Sequence, residues 1–295
     1  MPADFNPSFQ VPHWGWWIVL YFFLGGITGG ILFAASWLNV FGDAGDRPAA
    51  RLGHLLALPL ILVSAVFLIV DLGQPLRFWH MIFQSERFPE PILKPYSPMS
   101  LGSAILAVFG LVAFLFFADE LLFRGRILAT NAVGKILSVI GALAGLALAG
   151  YTGALLNVSN VPVWNNSPFI SALFLFSGVS TGIALLLLVA RRVPHATLEK
   201  LSEADNYLMI FELITLILFL LTLAGAIRSR FVLGTPTAIL FAFVIVVGLL
   251  VPLALHFRPR MGGGARATAI ASVLVLIGGF VLRWAVLAAP QGLGL

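Results

Sequence analysis

The chain has 295 residues, 60% of them hydrophobic and 10% charged, with a formal net charge of +5 and a mean hydropathy of +1.03. A water-soluble domain carries roughly a quarter charged residues, so this composition excludes a soluble globule and leaves an integral membrane protein. There is no cysteine, which excludes disulfides, cysteine-ligated zinc and any iron–sulfur cluster held by this chain; the Lys and Arg lie in short loops between apolar runs, so the positive charge reads as membrane orientation and not as nucleic-acid binding.

Residues 1–13 hold Asp4 and neither Lys nor Arg, and the run behind them has spanning length, so no cleavable signal is expected. Apolar runs long enough to span recur at roughly 14–41, 50–71, 100–118, 133–156, 167–190, 205–227, 237–256 and 268–288. They predict an all-α integral membrane protein of eight transmembrane helices. Asp43–Pro48, Arg191–Pro194, Gly234–Pro236 and Pro259–Gly264 punctuate the runs with turn residues.

The first span contains FFLGGITGGI at Phe22–Ile31, and the fifth contains FLFSGVSTGI at Phe174–Ile183. Four of the ten positions are identical, and each copy holds a G-x-x-x-G that lets helix backbones approach closely in lipid. Both copies lie on odd-numbered spans and run the same way. They predict two parallel four-helix bundles, residues 1–164 and 165–295.

An even number of spans puts both termini on one side. That side carries Arg77, Arg87, Lys94, Arg228 and Arg230, five basic residues against eleven on the other, namely Arg47, Arg51, Arg124, Arg126, Lys135, Arg191, Arg192, Lys200, Arg258, Arg260 and Arg266. The richer side is cytoplasmic by the positive-inside rule, so both termini are expected to be extracytoplasmic. The longest connection, 72–99, is then external. It holds Pro75, Pro89, Pro91, Pro95 and Pro98 among mixed charges and reads as a docking surface.

Polar groups at membrane depth are functional candidates, because an unpaired buried charge is expensive. Asp71 ends the second span, and Tyr151 and Tyr21 lie in the outer thirds of the fourth and first. A carboxylate and two phenols at an apolar pocket suit hydrogen bonds to a quinone carbonyl and relay of its protons. The competing reading has Asp71 capping its helix and pairing with Arg77, with the tyrosines in the aromatic belt. A second set is Glu212, roughly two turns into the sixth span from the cytoplasmic side, His54, near the cytoplasmic start of the second, and Arg283 well inside the eighth, a candidate proton path. The competing reading there is an interhelical pair or snorkelling. The histidines are His13, His54, His80, His195 and His256. Of these, His54 and His256 share a side near helix ends, and nothing else marks a haem pocket, so no haem is expected.

The run Asp71-Leu-Gly-Gln-Pro-Leu-Arg77-Phe78-Trp79, then Ser97-Pro-Met-Ser100 and Gly102-Ser103, resembles the NrfD-like (polysulfide reductase membrane subunit) family. So do Tyr21 through Gly30, Tyr151-Thr-Gly153, Pro162-Val-Trp164 and the Ser177-Gly178…Gly182 stretch. The match covers the first two-thirds of the sequence, and the last third in hydropathy alone. The resemblance implies a quinone-binding subunit of the bacterial inner membrane with no redox centre of its own. It implies docking to a four-cluster ferredoxin-type iron–sulfur subunit, which usually leads to a molybdopterin catalytic subunit. The quinone (menaquinone or ubiquinone) would meet Asp71, Tyr151 and Tyr21, while Arg77, Trp79, Ser97 and Ser100 would shape the pocket rim or the docking loop. Two features depart from the family. The polysulfide reductase version uses Asn and His on the first helix, where this sequence has Trp17 and Tyr21, and many relatives have Arg where Gln74 stands. A secondary transporter with parallel repeats and a purely structural anchor are the rival readings.

Overall fold

A computed structural model describes residues 14–81, 83, 97–128, 131–190, 193–233, 236–257 and 264–291. Arg87, Pro89, Glu90, Pro91, Lys94 and Pro95 of the long loop lie outside the described residues, as do His13, Arg191, Arg192, Arg258 and Arg260. Among the described residues the fold is all-helical, with eight helices long and apolar enough to cross a membrane. They are α1 (Trp16–Phe41), α2 (Arg47–Asp71), α3 (Pro98–Ala118), α4 (Ala132–Asn157), α5 (Ile170–Val189), α6 (His195–Thr222), α7 (Thr237–Leu255) and α8 (Gly264–Gln291). A 3-10 turn, Pro75–Met81, follows α2, and π-helical turns prolong α3 at Asp119–Phe123 and run through α7 at Val244–Leu250.

Local polar chemistry moves several predicted boundaries. The second helix starts at Arg47 and not at 50, behind a reciprocal cap in which the Asp43 N–H donates to Asp46 Oδ2 at 2.9 Å. Pro48 fits its first turn, where no backbone N–H is needed. The sixth helix starts at His195 and not at 205. Its first turns carry Glu199, Lys200 and Glu203, which a search for apolar runs passes over. Those turns are anchored: Lys200 Nζ donates to Asp43 Oδ2 and Asp46 Oδ2, both at 3.0 Å, and Thr197 Oγ1 to Asp46 Oδ1 at 2.6 Å. The same helix ends at Thr222, short of 227, because Leu223 turns extended and the Ala224 N–H donates to Asn166 Oδ1 at 2.6 Å.

The two inner helices, α1 and α5, pack on each other through the repeated glycines. A Cβ on Gly26 would stand 3.3 Å from the Gly178 Cα, and one on Gly182 would stand 2.6 Å from the Gly30 carbonyl carbon. The G-x-x-x-G motifs therefore face each other, which is the close approach that small residues allow in lipid. Around them, α1 also packs on α2, α4 and α8, and α5 on α4, α6 and α8. The outward faces of α3 and α4 present Leu111, Phe114, Ile136 and Leu143 to the surroundings, as lipid contact requires.

The segment joining α4 to α5 is not a loose linker. Val161, Val163, Trp164 and Ser167 are buried, and Trp164 Nε1 donates to the Val286 carbonyl at 2.8 Å. Trp14 stacks on Trp164 at 5.1 Å. Val163 holds a φ of +78°, a left-handed conformation that costs a β-branched residue energy and persists under tight packing.

Candidate functional site

Near the N-terminal end of α1 lies a cavity of about 240 Å³. Its flanks are Ala65, Leu68 and Ile69 of α2, Leu72 just beyond that helix, and Met99, Gly102, Ser103, Leu106 and Ala107 of α3. Phe78 and Met81 of the 3-10 turn line it, and Tyr21 of α1 with Tyr151 and Leu155 of α4 close its inner side. The antiparallel run of the helices explains the gathering. The start of α1, the end of α2, the start of α3 and the end of α4 all reach one face of the bundle.

Tyr21 is 4% exposed, its backbone carbonyl accepts from Ser64 Oγ at 3.2 Å, and its hydroxyl has no partner among the described residues. Tyr151 is also buried, and its hydroxyl donates to the Pro98 carbonyl at 2.7 Å. Its phenol lies against Gly102, where any Cβ would overlap the ring and the hydroxyl. The structure thus brings the two predicted tyrosines to one apolar cavity. Among the described residues one hydroxyl has no partner, and the other pins the first turn of α3.

Asp71 is the half-buried last residue of α2, next to the cavity residue Leu72 but not itself in the wall. It makes no ion pair with Arg77 among the described residues, so the competing Asp71–Arg77 pairing is not formed. Arg77 is exposed, and Trp79 stacks on His80 at 3.7 Å on the outside of the same turn. Ser97 caps α3 through its carbonyl, which accepts from the Leu101 N–H at 3.0 Å, and Ser100 is half-buried in the first turn. These four lie around the cavity's outer end without lining it; Phe78, Met99 and Ser103, which belong to the same family-like runs but are not among the ligand contacts that the resemblance implies, do line it.

The second set divides. Arg283 is fully buried, with Nε donating to the Phe22 carbonyl at 3.2 Å and Nη1 to Ser177 Oγ at 3.0 Å and the Gly279 carbonyl at 2.8 Å. Phe174 and Phe23 lie 5.5 and 5.9 Å from the guanidinium carbon. Gly26 leaves the space the guanidinium occupies, since a Cβ there would stand 2.6 Å from Nη2. Ser177 also faces the buried Glu212. Two turns earlier on α6, Asp205 is fully buried and accepts from Ser180 Oγ at 2.7 Å. Arg283 and Glu212 therefore meet at Ser177 between α5, α6 and α8, while Asp205 pairs separately with Ser180. His54 is elsewhere: it is buried on α2 and stacked on Phe116 of α3 at 4.0 Å. Asp205 escapes a search for apolar runs because the run begins at 205, which makes the residue look like a boundary. Its spacing of seven from Glu212, which puts both on one helix face, is the signal that could have found it.

No group of three or more His, Asp or Glu able to hold a metal ion occurs among the described residues, and the side chain of His256 lies outside them.

A family model described as "Polysulphide reductase, NrfD" matches residues 5–293. The protein is 26% identical to Protein NrfD of Escherichia coli, over 96% of each sequence. It is 27% identical to the Protein NrfD homolog of Haemophilus influenzae over 99% of each, and 24% identical to one of the chains of polysulfide reductase from Wolinella succinogenes over 94% of each.

Proposed function

The chain belongs to the NrfD polysulphide reductase family, and from that premise we propose that it is the quinone-reactive membrane subunit of an oxidoreductase complex. It exchanges electrons between the membrane quinone pool and an extracytoplasmic iron–sulfur subunit of the four-cluster ferredoxin type. That subunit connects to a molybdopterin catalytic subunit, and the protein reduces no soluble substrate alone. The Wolinella relative, named as one chain of a polysulfide reductase and similar over nearly its whole length, supports the role of one subunit among several. Both termini and loop 72–99 lie outside the inner membrane in this reading, on the face where the partner docks.

The observation that carries the reading is the cavity with two buried phenols in walls that are apolar apart from Ser103. A quinone ring needs a slot that excludes water and a few donors aimed at its carbonyls. The free Tyr21 hydroxyl supplies one donor, and Tyr151 supplies a second whenever it releases the Pro98 carbonyl. Asp71, beside Leu72 at the outer end, takes up or delivers protons as the ligand changes redox state. Arg77, Trp79, Ser97 and Ser100 lie toward the partner. Arg283, Ser177 and Glu212, with Asp205 and Ser180 two turns away, mark a candidate proton path in the second half, which His54 does not join. The halves 1–164 and 165–295 are parallel four-helix bundles in this reading, crossing at the repeated glycines.

Losing a hydrogen bond to a bound head group costs on the order of 1–3 kcal/mol, about ten- to a hundredfold in affinity. Asp71→Asn, Tyr151→Phe and Tyr21→Phe should each cut quinone-linked turnover in the assembled complex, while electron transfer from an artificial donor to the iron–sulfur partner survives. Normal quinone turnover in all three variants would show that the site is misassigned. Iron–sulfur absorbance and co-purifying quinone in the isolated complex separate this reading from a transporter and from an inert anchor.

A further inference from the structure

We propose that Ser64 of α2 and Arg283 of α8 are positioning residues for the Tyr21 phenol, clamping the turn of α1 that carries it so that its hydroxyl stays aimed at the ligand. The inference rests on the quinone reading of the cavity and adds to that site two residues that do not line it.

The clamp is a pair of bonds to successive carbonyls. The Tyr21 carbonyl accepts from Ser64 Oγ at 3.2 Å, and the next one, that of Phe22, accepts from Arg283 Nε at 3.2 Å. Successive residues of an α-helix are turned about 100° from each other around its axis, so α2 and α8 grip α1 at neighbouring points from two directions. Each carbonyl oxygen has two lone pairs and takes the second donor without giving up its helical bond. Aromatic rings carry the grip to the phenol: the Phe22 ring centroid lies 5.6 Å from that of Tyr21 and 6.2 Å from that of Phe174, which is 5.5 Å from the guanidinium carbon.

What the guanidinium binds singles it out for this work. A buried charge is ordinarily paired, yet Arg283 has no carboxylate within ion-pair distance among the described residues. Its bonds go to neutral oxygens, the Phe22 carbonyl on α1, the Ser177 hydroxyl on α5 and the Gly279 carbonyl on its own helix. A planar fork with five donors holds three helices at once, and the point charge of a lysine does not. Gly26, one turn beyond Phe22, admits the fork, since a Cβ there would stand 2.6 Å from Nη2. The cavity walls all come from residues 21–155, and the last helix completes the site from behind.

The test measures quinone KM and kcat in the complex in its native membrane, with each change made alone and in a Tyr21→Phe background. Ser64→Ala and Arg283→Lys should each raise KM about three- to tenfold with a smaller change in kcat. Neither should add to the loss in Tyr21→Phe, because the donor they aim is gone. Thr28→Val is the control: Thr28 is buried on the same helix and its hydroxyl donates to the Leu24 carbonyl of that helix at 2.6 Å, so KM should stay at the wild-type value. A merely structural role gives losses that persist in the Tyr21→Phe background, and that outcome overturns the clamp. So does an equal rise of KM in Thr28→Val. Where Arg283→Lys does not assemble, Ser64→Ala decides. A raised KM in Tyr21→Phe with a wild-type KM in Ser64→Ala overturns the clamp and leaves the quinone site standing. A wild-type KM in Tyr21→Phe overturns the clamp together with the quinone reading of this phenol.

Discussion

Within the one cavity the two phenols differ in what their hydroxyls do. Tyr151 donates to the Pro98 carbonyl at 2.7 Å, whereas Tyr21 has no partner among the described residues. A free donor in an apolar wall gains most from a ligand carbonyl. Tyr21→Phe should therefore raise the quinone KM about tenfold or more with a smaller change in kcat, read from quinone titrations; wild-type affinity would remove Tyr21 from the site. Gly102 belongs to the same geometry, because any side chain there meets the Tyr151 ring. Gly102→Ala should weaken quinone turnover, and in a Tyr151→Ala background the same change should cost almost nothing further. A double-mutant cycle reads that coupling, and additive losses would show that Gly102 acts by another route. The tyrosines were legible in the sequence because depth in the membrane follows from position in a span. The reason for Gly102 was not, since it depends on a helix-to-helix contact across 49 positions of sequence, from Gly102 to Tyr151. For His54 the depth was readable, but its stacking on Phe116 of α3 was not, because the sequence does not show which helices neighbour α2.

At the scale of helices, the α1–α5 crossing was foreshadowed by the repeated G-x-x-x-G, because a backbone contact leaves a mark in residue size. Gly182 faces the Gly30 backbone so closely that a methyl group forces the helices apart. Overpacking of this kind costs about 1–3 kcal/mol. Gly182→Ala and Gly30→Ala should each lower the thermal stability of the purified complex. Gly110→Ala on α3, where an added Cβ meets nothing within 4 Å, should be neutral or slightly stabilising, as alanine favours helix over glycine by up to about 1 kcal/mol. Equal melting of all three variants would mean that the crossing is looser than the glycines indicate. Other features left no such mark. The π-helical turns lie among residues that look like ordinary span, and the burial of Trp164 against the Val286 carbonyl depends on a contact between distant segments. The early start of α6 was obscured for a different reason: its first turns are held by Asp43 and Asp46 of another segment, and not by apolar residues.

For the whole molecule, the number of spans and their alternation follow from hydrophobic runs, because a backbone in lipid must satisfy its hydrogen bonds within each helix. Orientation across the membrane is a separate question, and here it rests on charge. Eleven basic residues flank one end of the bundle and five the other, and the positive-inside rule counts residues in short loops of this kind. The cavity, the 3-10 turn and the long loop belong to the poorer end, so the rule predicts them outside, on the side where the proposed iron–sulfur partner would dock. The absence of cysteine from the sequence allows a direct test on intact cells with a membrane-impermeant maleimide. Glu90→Cys in the long loop should label from outside. Lys135→Cys, exposed on the first turn of α4 at the opposite end, should label after the cells are opened and not before. The reverse pattern would invert the topology and carry the docking face, the cavity and the partner to the cytoplasmic side together, since the ends of that loop, on α2 and α3, flank the cavity that the two tyrosines close.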